Sequence, residues 1–226
     1  MKQDYQHVNC WIFDLDNTLY PPHFQLMSQI STKITEYIIR TLSLPEAEAK
    51  QIQRKYYLEF GTSLRGLMEH HQVDPTDFMN YVHDLDYSIV TENKPLRDAL
   101  QNLPGRKLIH TNASKQHSFK VMQRLGIESQ IEAVFDVMDG DYVPKPKAGS
   151  YHKFLETHQI DPTKAAMLED LPQNLIVPAQ LGMRTILIEP AHDQTGVVEQ
   201  GASLANRDHI HHTIEDLVDT LTLLGG

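Results

Sequence analysis

Residues 13–20 read FDLDNTLY, with Asp14 and Asp16 one position apart directly behind the apolar run VNCWIF at 8–13. The run is short and uninterrupted, as expected of a buried strand, and the acids fall where it ends. Alone, such a pair fits a solvated turn as well as a nucleophile with its proton donor. The same letters recur in HDLDYS at 83–88, but there they follow a polar-interrupted helical stretch rather than a strand. Asp84 and Asp86 therefore read as a helix-end pair without chemistry, and the strand before Asp14 gives the first copy its weight.

Further strand-and-helix alternation extends from the second half of the chain. RKLIHT (106–111), EAVFDVM (132–138), AAMLE (165–169) and TILI (185–188) read as strands, with TILI the last. Between them, KQHSFKVMQRLG places Phe119, Val121, Met122 and Leu125 on one helical face and stops at Gly126. SYHKFLETH (150–158) and a stretch around 174–182 read as helices, with Pro178 in a first turn or at a kink. The tail HHTIEDLVDTLTLL reads as a closing amphipathic helix. Strands alternating with helices predict an α/β fold, a Rossmann-like parallel sheet.

Residues 20–92 break that rhythm. FQLMSQISTKITEYIIRTL carries Leu26, Ile30, Ile34, Tyr37 and Ile38 on one stripe, PEAEAKQIQRKYYLEF runs to Gly61, and SLRGLMEHH and PTDFMNYVHDL follow. The expected organisation is an α/β catalytic core at 1–19 and 93–226 with an inserted helical cap at 20–92.

Composition narrows the function. The chain has 226 residues, 40% hydrophobic and 22% charged, and a formal net charge of -10, which disfavours a nucleic acid polymer or an anionic membrane as partner. Cys10 is the sole cysteine, and the opening MKQDYQHVNCWIF has no long apolar stretch, so the reading is a soluble, cytoplasmic protein in a reducing compartment. Monomer and homodimer stay equally open.

In open α/β sheets ligands gather beyond the carboxyl ends of the strands. Asp14 and Asp16 follow the first strand, Thr111 and Asn112 the second, Glu169 and Asp170 the fourth, and Lys145 lies in YVPKPK after the third. Carboxylates, a hydroxyl and a cation converging there suit phosphoryl transfer. A carboxylate attacks phosphorus, a second acid moves the proton, Mg²⁺ offsets repulsion, and Lys145 and Thr111 hold phosphoryl oxygens.

Competing readings exist for each. Glu169 and Asp170 also suit a helix N-terminus, Lys147 competes with Lys145, Asn112 is equally placed to cap the next helix, and Ser114 reads as a cap. His70, His71, His209, His211 and His212 lack a metal-ligand pattern and read as surface residues. Tyr56 and Tyr57 read as helix packing, Arg65 as a surface cation, and Asp139-Gly140-Asp141 as a turn.

DLDNT, the strand ending in Thr111-Asn112, Lys145-Pro146 and LED at 168–170 resemble, in order, the four motifs of the haloacid dehalogenase superfamily. That resemblance covers nearly the whole chain. It implies Asp14 as nucleophile, Asp16 as general acid/base, and Mg²⁺ on Asp14, the Asp16 backbone carbonyl and Asp170, with Glu169 alongside through water. Thr111 and Lys145 match the phosphate-binding hydroxyl and lysine, and Asn112 is placed with them. The family's dehalogenases lack the second Asp of the first motif, so Asp16 points to phosphate chemistry. Within the insert, YYLEFGTSLRGLMEHH and DPTDFMNYVHDLD, and beyond it QNLIVPAQLGMRTILI, resemble the pyrimidine 5'-nucleotidase branch. The implied activity is Mg²⁺-dependent hydrolysis of a small phosphorylated metabolite, a nucleoside monophosphate such as UMP or CMP, with cap motion gating the site. Another small-metabolite phosphatase or a sugar phosphomutase of the same superfamily, and a non-catalytic metabolite- or protein-binding regulator, are the rival readings.

Overall fold

The computed structural model describes residues 1–189 and 207–226. Residues 190–206, inside the expected core range, lie outside the described residues. Strands β1 (Cys10–Phe13), β2 (Arg106–His110), β3 (Ala133–Phe135), β4 (Ala165–Glu169), β5 (Arg184–Ile188) and β6 (His212–Ile214) form one sheet in the order β3-β2-β1-β4-β5-β6. Every pairing is parallel. The α/β class and the parallel sheet read from the sequence are thus observed.

Strand periodicity sorts the core into two faces. Trp11, Phe13, Ile109, Ala166, Leu168, Ile186 and Ile188 point to one side. There they meet α5 (Lys94–Asn102), α6 (Lys115–Leu125) and α9 (Leu217–Gly225). Cys10, Ile12, Leu108, Ala165, Met167 and Leu187 point to the other, against Tyr151, Phe154 and Leu155 of α7 (Ala148–His158). Helix α8 (Ile176–Gln180) flanks that side through Val177. Near-continuous apolar strands are what a sheet covered on both faces requires.

Four helices fill the interval after β1: α1 (Leu26–Leu42), α2 (Glu46–Phe60), α3 (Ser63–His71) and α4 (Pro75–Val82). They bury an apolar cluster of their own, with Tyr37, Ile38, Ala49, Tyr56, Leu64, Leu67, Phe78 and Val82, which also takes in Val137. Leu26, Ile30, Tyr37 and Ile38 of the expected stripe are buried.

Several sequence expectations need correction. The tail is not helical throughout: residues 212–214 form β6 beside β5, and Asp216 caps α9 by accepting from the Asp219 amide at 2.9 Å. TILI is therefore not the last strand. Helix α5, opened by the Asn93 cap on the Leu96 amide, has no counterpart in the sequence reading. On α6 the buried face is His117, Ser118, Val121, Met122 and Leu125, whereas Phe119 is exposed. The expected strand at 132–138 stops at Phe135 because the Asp136 carboxylate turns back to accept from the Lys115 and Asp139 amides. No helix among the described residues is long and apolar enough to cross a membrane.

Candidate active site

β1 lies at the centre of the sheet, between β2 and β4, so three strand ends open side by side. The Asp14 amide donates to the Leu168 carbonyl at 2.9 Å, carrying the ladder one residue past β1. That fixes the Asp14 carboxylate at the edge of the crevice. Glu169 closes β4 with Asp170 beside it, and oxygens of Asp14, Glu169 and Asp170 lie within 4.8 Å of one another.

A single ammonium enters this group. Lys145 Nζ donates to Asp14 Oδ1 at 2.6 Å and to Glu169 Oε1 at 2.8 Å, and Lys145 is 1% exposed. Lys147 is exposed at the start of α7, so Lys145 is the lysine at the site. Asn112 holds that loop in place: its Oδ1 accepts from the Lys145 amide at 2.8 Å and its Nδ2 donates to the Lys145 carbonyl at 3.1 Å. Asn112 does not cap α6. Ser114 does, accepting from the His117 amide at 3.2 Å. Thr111 is buried, with Oγ1 accepting from the Ala113 amide at 3.0 Å.

Charge crowding shapes the titration. Burial raises the Asp14 carboxyl, Lys145 opposes it, and the charges of Glu169 and Asp16 add to the rise, leaving it at about 7. Asp170 is raised well above the usual range by burial and then by Glu169 and Asp14. Burial pulls Lys145 down, but Asp14 and Glu169 more than reverse this, so it stays protonated. Three carboxylates facing one ammonium leave an excess of negative charge. The donors are all oxygen, which fits a hard divalent cation such as Mg²⁺.

Glu169 is the most constrained of the three. Besides Lys145, it accepts from Asn174 Nδ2 at 2.5 Å and from the Leu171 amide at 2.8 Å. Asn174 is buried at the close of the turn Pro172–Leu175. Sequence reasoning missed it, although an Asn five residues past a strand-end acid is the available signal.

Asp16 faces different company. Tyr20 Oη donates to its Oδ1 at 2.5 Å, and His117 Nε2 lies 2.7 Å from the same oxygen. Burial would raise the Asp16 carboxyl, but His117 and the Tyr20 hydroxyl hold it below its ordinary value. His117 and Tyr20 were not singled out by the sequence.

Residues read from the sequence as helix packing, surface groups or a turn have partners of their own. Tyr56 Oη meets His71 Nε2 at 2.8 Å, and His70 stacks on the Tyr56 ring. Arg65 pairs with Glu69. His209, His211 and His212 tie β5 and the N-terminal turn to neighbouring chain, bonding Pro172, Thr185 and Tyr5. Asp139 and Asp141 lie in turns and pair with Lys115 and Lys153.

Comparison with known proteins adds the family. Residues 8–182 match the haloacid dehalogenase-like hydrolases. The chain belongs to that family. This haloacid dehalogenase-like hydrolase is 26% identical over 199 residues to phosphate metabolism protein 8 of Saccharomyces cerevisiae, a match covering 78% of the chain and 60% of the yeast protein. The chain thus spans about 60% of the length of that curated relative. Its fold resembles a HAD phosphatase from Thermococcus onnurineus, with a TM-score of 0.61, 18% identity, and coverage of 97% of this chain and 99% of that one. An L-2-haloacid dehalogenase from Xanthobacter autotrophicus, with chloropropionic acid covalently bound, gives a TM-score of 0.57 at 16% identity over 97% and 99%. Likeness at this distance establishes the hydrolase fold and leaves the leaving group to the site.

Proposed function

We propose that this hydrolase is a phosphomonoester phosphatase working through an aspartyl-phosphate. The observation that carries the reading is Asp16: a second carboxylate, held two residues beyond Asp14 at the mouth of the same strand, supplies the proton an alkoxide leaving group needs. Displacing halide needs no such donor.

In this scheme the negative charge of the entering ester brings a proton onto Asp16, Asp14 attacks phosphorus as the bond from phosphorus to the leaving oxygen breaks, and the Asp16 proton passes to that oxygen. Asp16 then takes a proton from the water that attacks the phosphoryl group, and Asp14 is released. Help of this kind is worth ~10²–10⁴-fold. The Lys145 ammonium and the Thr111 hydroxyl hold phosphoryl oxygens, and Asn112 keeps the Lys145 backbone in register. Mg²⁺, when bound, supplies positive charge to bring a dianionic ester to an acidic pocket. Asp14, Asp170 and the Asp16 carbonyl would hold it, with Glu169 acting through water.

The proposed organisation is a catalytic core at 1–19 and 93–226 under a helical cap at 20–92. The separate apolar cluster of α1–α4 supports it. The proposed substrates are pyrimidine nucleoside monophosphates, UMP and CMP. The resemblance of the cap stretches to the pyrimidine 5'-nucleotidases supports that class, and the name of the yeast relative agrees with phosphate chemistry.

The test is phosphate release from nucleotides, sugar phosphates and phosphoglycolate. UMP and CMP should rank first, and Asp14→Asn should abolish turnover. An Asp14→Asn protein as active as wild type would falsify the covalent route, while low ranking of UMP and CMP would remove only the nucleotide assignment.

A further inference from the structure

Among the described residues, side chains grip Asp16 on one oxygen. The Tyr20 hydroxyl and His117 Nε2 both reach Oδ1, at 2.5 and 2.7 Å, and neither touches Oδ2. A carboxyl anchored this way has one oxygen fixed by these two side chains and the other free of both.

His117 is itself fixed from two sides. It is 0% exposed on α6, and its Nδ1 lies 2.9 Å from Tyr87 Oη. Tyr87 gives its hydroxyl proton to the His83 carbonyl at 3.0 Å. The hydroxyl is then an acceptor toward the imidazole, so Nδ1 carries hydrogen, and Nε2 donates to Asp16 Oδ1 when the ring holds a hydrogen on both nitrogens. The His83 ring stacks on His117 with centroids 4.6 Å apart, and His83 Nδ1 meets Ser114 Oγ at 2.9 Å. Ser114 in turn caps α6 on the His117 amide. His83 ends α4, and Tyr87 opens the turn by which the chain returns from the helical insert. The stretch HDLDYS, silent as an acid pair, thus supplies both supports.

We propose that His117 is a positioning residue for Asp16: with Tyr20 it anchors Oδ1, leaving Oδ2 to carry the proton to the leaving oxygen, and through Tyr87 and His83 it ties that orientation to the end of the helical insert. The inference rests on the phosphatase reading, in which Asp16 is the general acid. A buried histidine serving only packing would leave proton donation untouched.

The two roles separate by leaving group. The phenolate released from p-nitrophenyl phosphate is stable without a proton, whereas the alkoxide of UMP, glucose 6-phosphate or phosphoglycolate is not. The experiment measures kcat/KM for p-nitrophenyl phosphate and for the best of those three alkyl esters, because kcat/KM reports the transition state of the first transfer. His117→Phe should lower the alkyl value at least ~10-fold more than the aryl value, within the range general-acid help spans. His117→Gln, which keeps an N–H donor toward Asp16, should restore most of the difference. Tyr87→Phe should move the ratio in the same direction by less.

Equal losses on both esters in His117→Phe, or none on either, overturn the inference. If that variant fails to fold, as judged by circular dichroism, an unchanged ratio in Tyr87→Phe overturns it instead. A wild-type protein that releases phosphate from none of the four esters overturns the phosphatase reading and the inference with it. A wild-type protein active on them with an unshifted ratio in His117→Phe and Tyr87→Phe overturns the inference alone.

Discussion

Lys145 Nζ lies 2.6 Å from Asp14 Oδ1, although 131 residues separate the two in sequence. The contact joins the end of the central strand to the loop after β3, and Glu169 completes it from β4 at 2.8 Å. One lysine therefore links the loops after β1 and β3 to the last residue of β4. Burying an ammonium is unfavourable unless it is paired and hydrogen-bonded, and here both conditions are met by acids that would otherwise repel one another.

Replacing Lys145 by Met should both destabilise the fold and stop catalysis. Removing one partner of a buried ion pair typically costs about 3–5 kcal/mol, because a charge is left without compensation. Urea unfolding in chelator at pH 8 should show a loss of that order. The loss should shrink toward pH 5, where Asp14, already raised to about 7, takes up a proton and no longer needs the ammonium. Phosphate release should fall by ~10²-fold or more, as when one preorganised donor to a developing negative charge is removed. A variant of wild-type stability at pH 8 would show that the pair is not an anchor.

The acid cluster should respond to metal strongly in wild type and little in Asp170→Asn. For wild type, Mg²⁺ at 100 times its dissociation constant should stabilise the fold by about 2.7 kcal/mol, read as a rise in the unfolding midpoint. Asp170→Asn should lose most of that shift. In chelator the same variant should be more stable than wild type near pH 8, since burial and the charges of Glu169 and Asp14 disfavour an ionised Asp170. Exhaustive chelation should stop phosphate release and added Mg²⁺ should restore it. Unimpaired turnover in chelator would reject the metal assignment.

Gly61 should matter more than its distance in sequence from the site suggests. It ends α2 at φ 90, with its amide donating to the Tyr57 carbonyl, and a Cβ there would lie 3.1 Å from Pro144 Cγ and 3.3 Å from the Lys145 carbonyl oxygen. Gly61→Ala therefore combines left-handed strain, about 1–2 kcal/mol, with pressure on the peptide that Asn112 holds. Gly126→Ala is the control. Its φ is 74, but the nearest atom is the flexible Glu92 Cγ at 3.3 Å. Both variants should lose similar stability in urea, and only Gly61→Ala should lose kcat/KM. Equal activity in the two would mean that the Lys145 loop yields without consequence.

How far the sequence reaches follows from how far each signal reaches. β1, β2, β4 and β5 are legible because each carries a run of consecutive apolar residues, CWIF, LI, AAML and ILI. β6 is not, since His212–Ile214 has one buried residue and exists through its pairing with β5. α5 carries only Leu96, Ala99 and Leu100 inward, too few to set a period. Phe119 fits the helical spacing of its neighbours, yet the face that α6 turns inward includes His117 and Ser118 instead. At the site, the strand-end rule places Asp14, Thr111, Lys145 and Glu169 around one crevice. Asn174, Tyr20 and His117 escape it because their importance lies in partners. His117 and Asp16 are 101 positions apart, and no local pattern ties an imidazole to an acid at that distance.

His110 offers a titration that can be isolated. It is 1% exposed, its Nε2 meets Ser150 Oγ at 2.8 Å, its Nδ1 has no hydrogen-bond partner among the described residues, and Phe154 stacks on the ring. Burial, then the Lys145 charge, holds its pKa well below 6.5. The unfolded chain therefore binds a proton on falling through about pH 6.5 that the folded chain refuses, so the stabilising contribution is present above that pH and is lost below it. Asp14 and Asp170, whose values are raised, work in the opposite sense, and the total slope hides both. Comparing wild type with His110→Phe cancels the acids and leaves the histidine. The difference in unfolding free energy, wild type minus variant, should fall by about 1.4 kcal/mol for each pH unit below roughly 6. Urea unfolding at pH 7.5, 6, 5 and 4.5 measures it. A difference that stays flat across that range would mean that His110 accepts a proton in the folded protein.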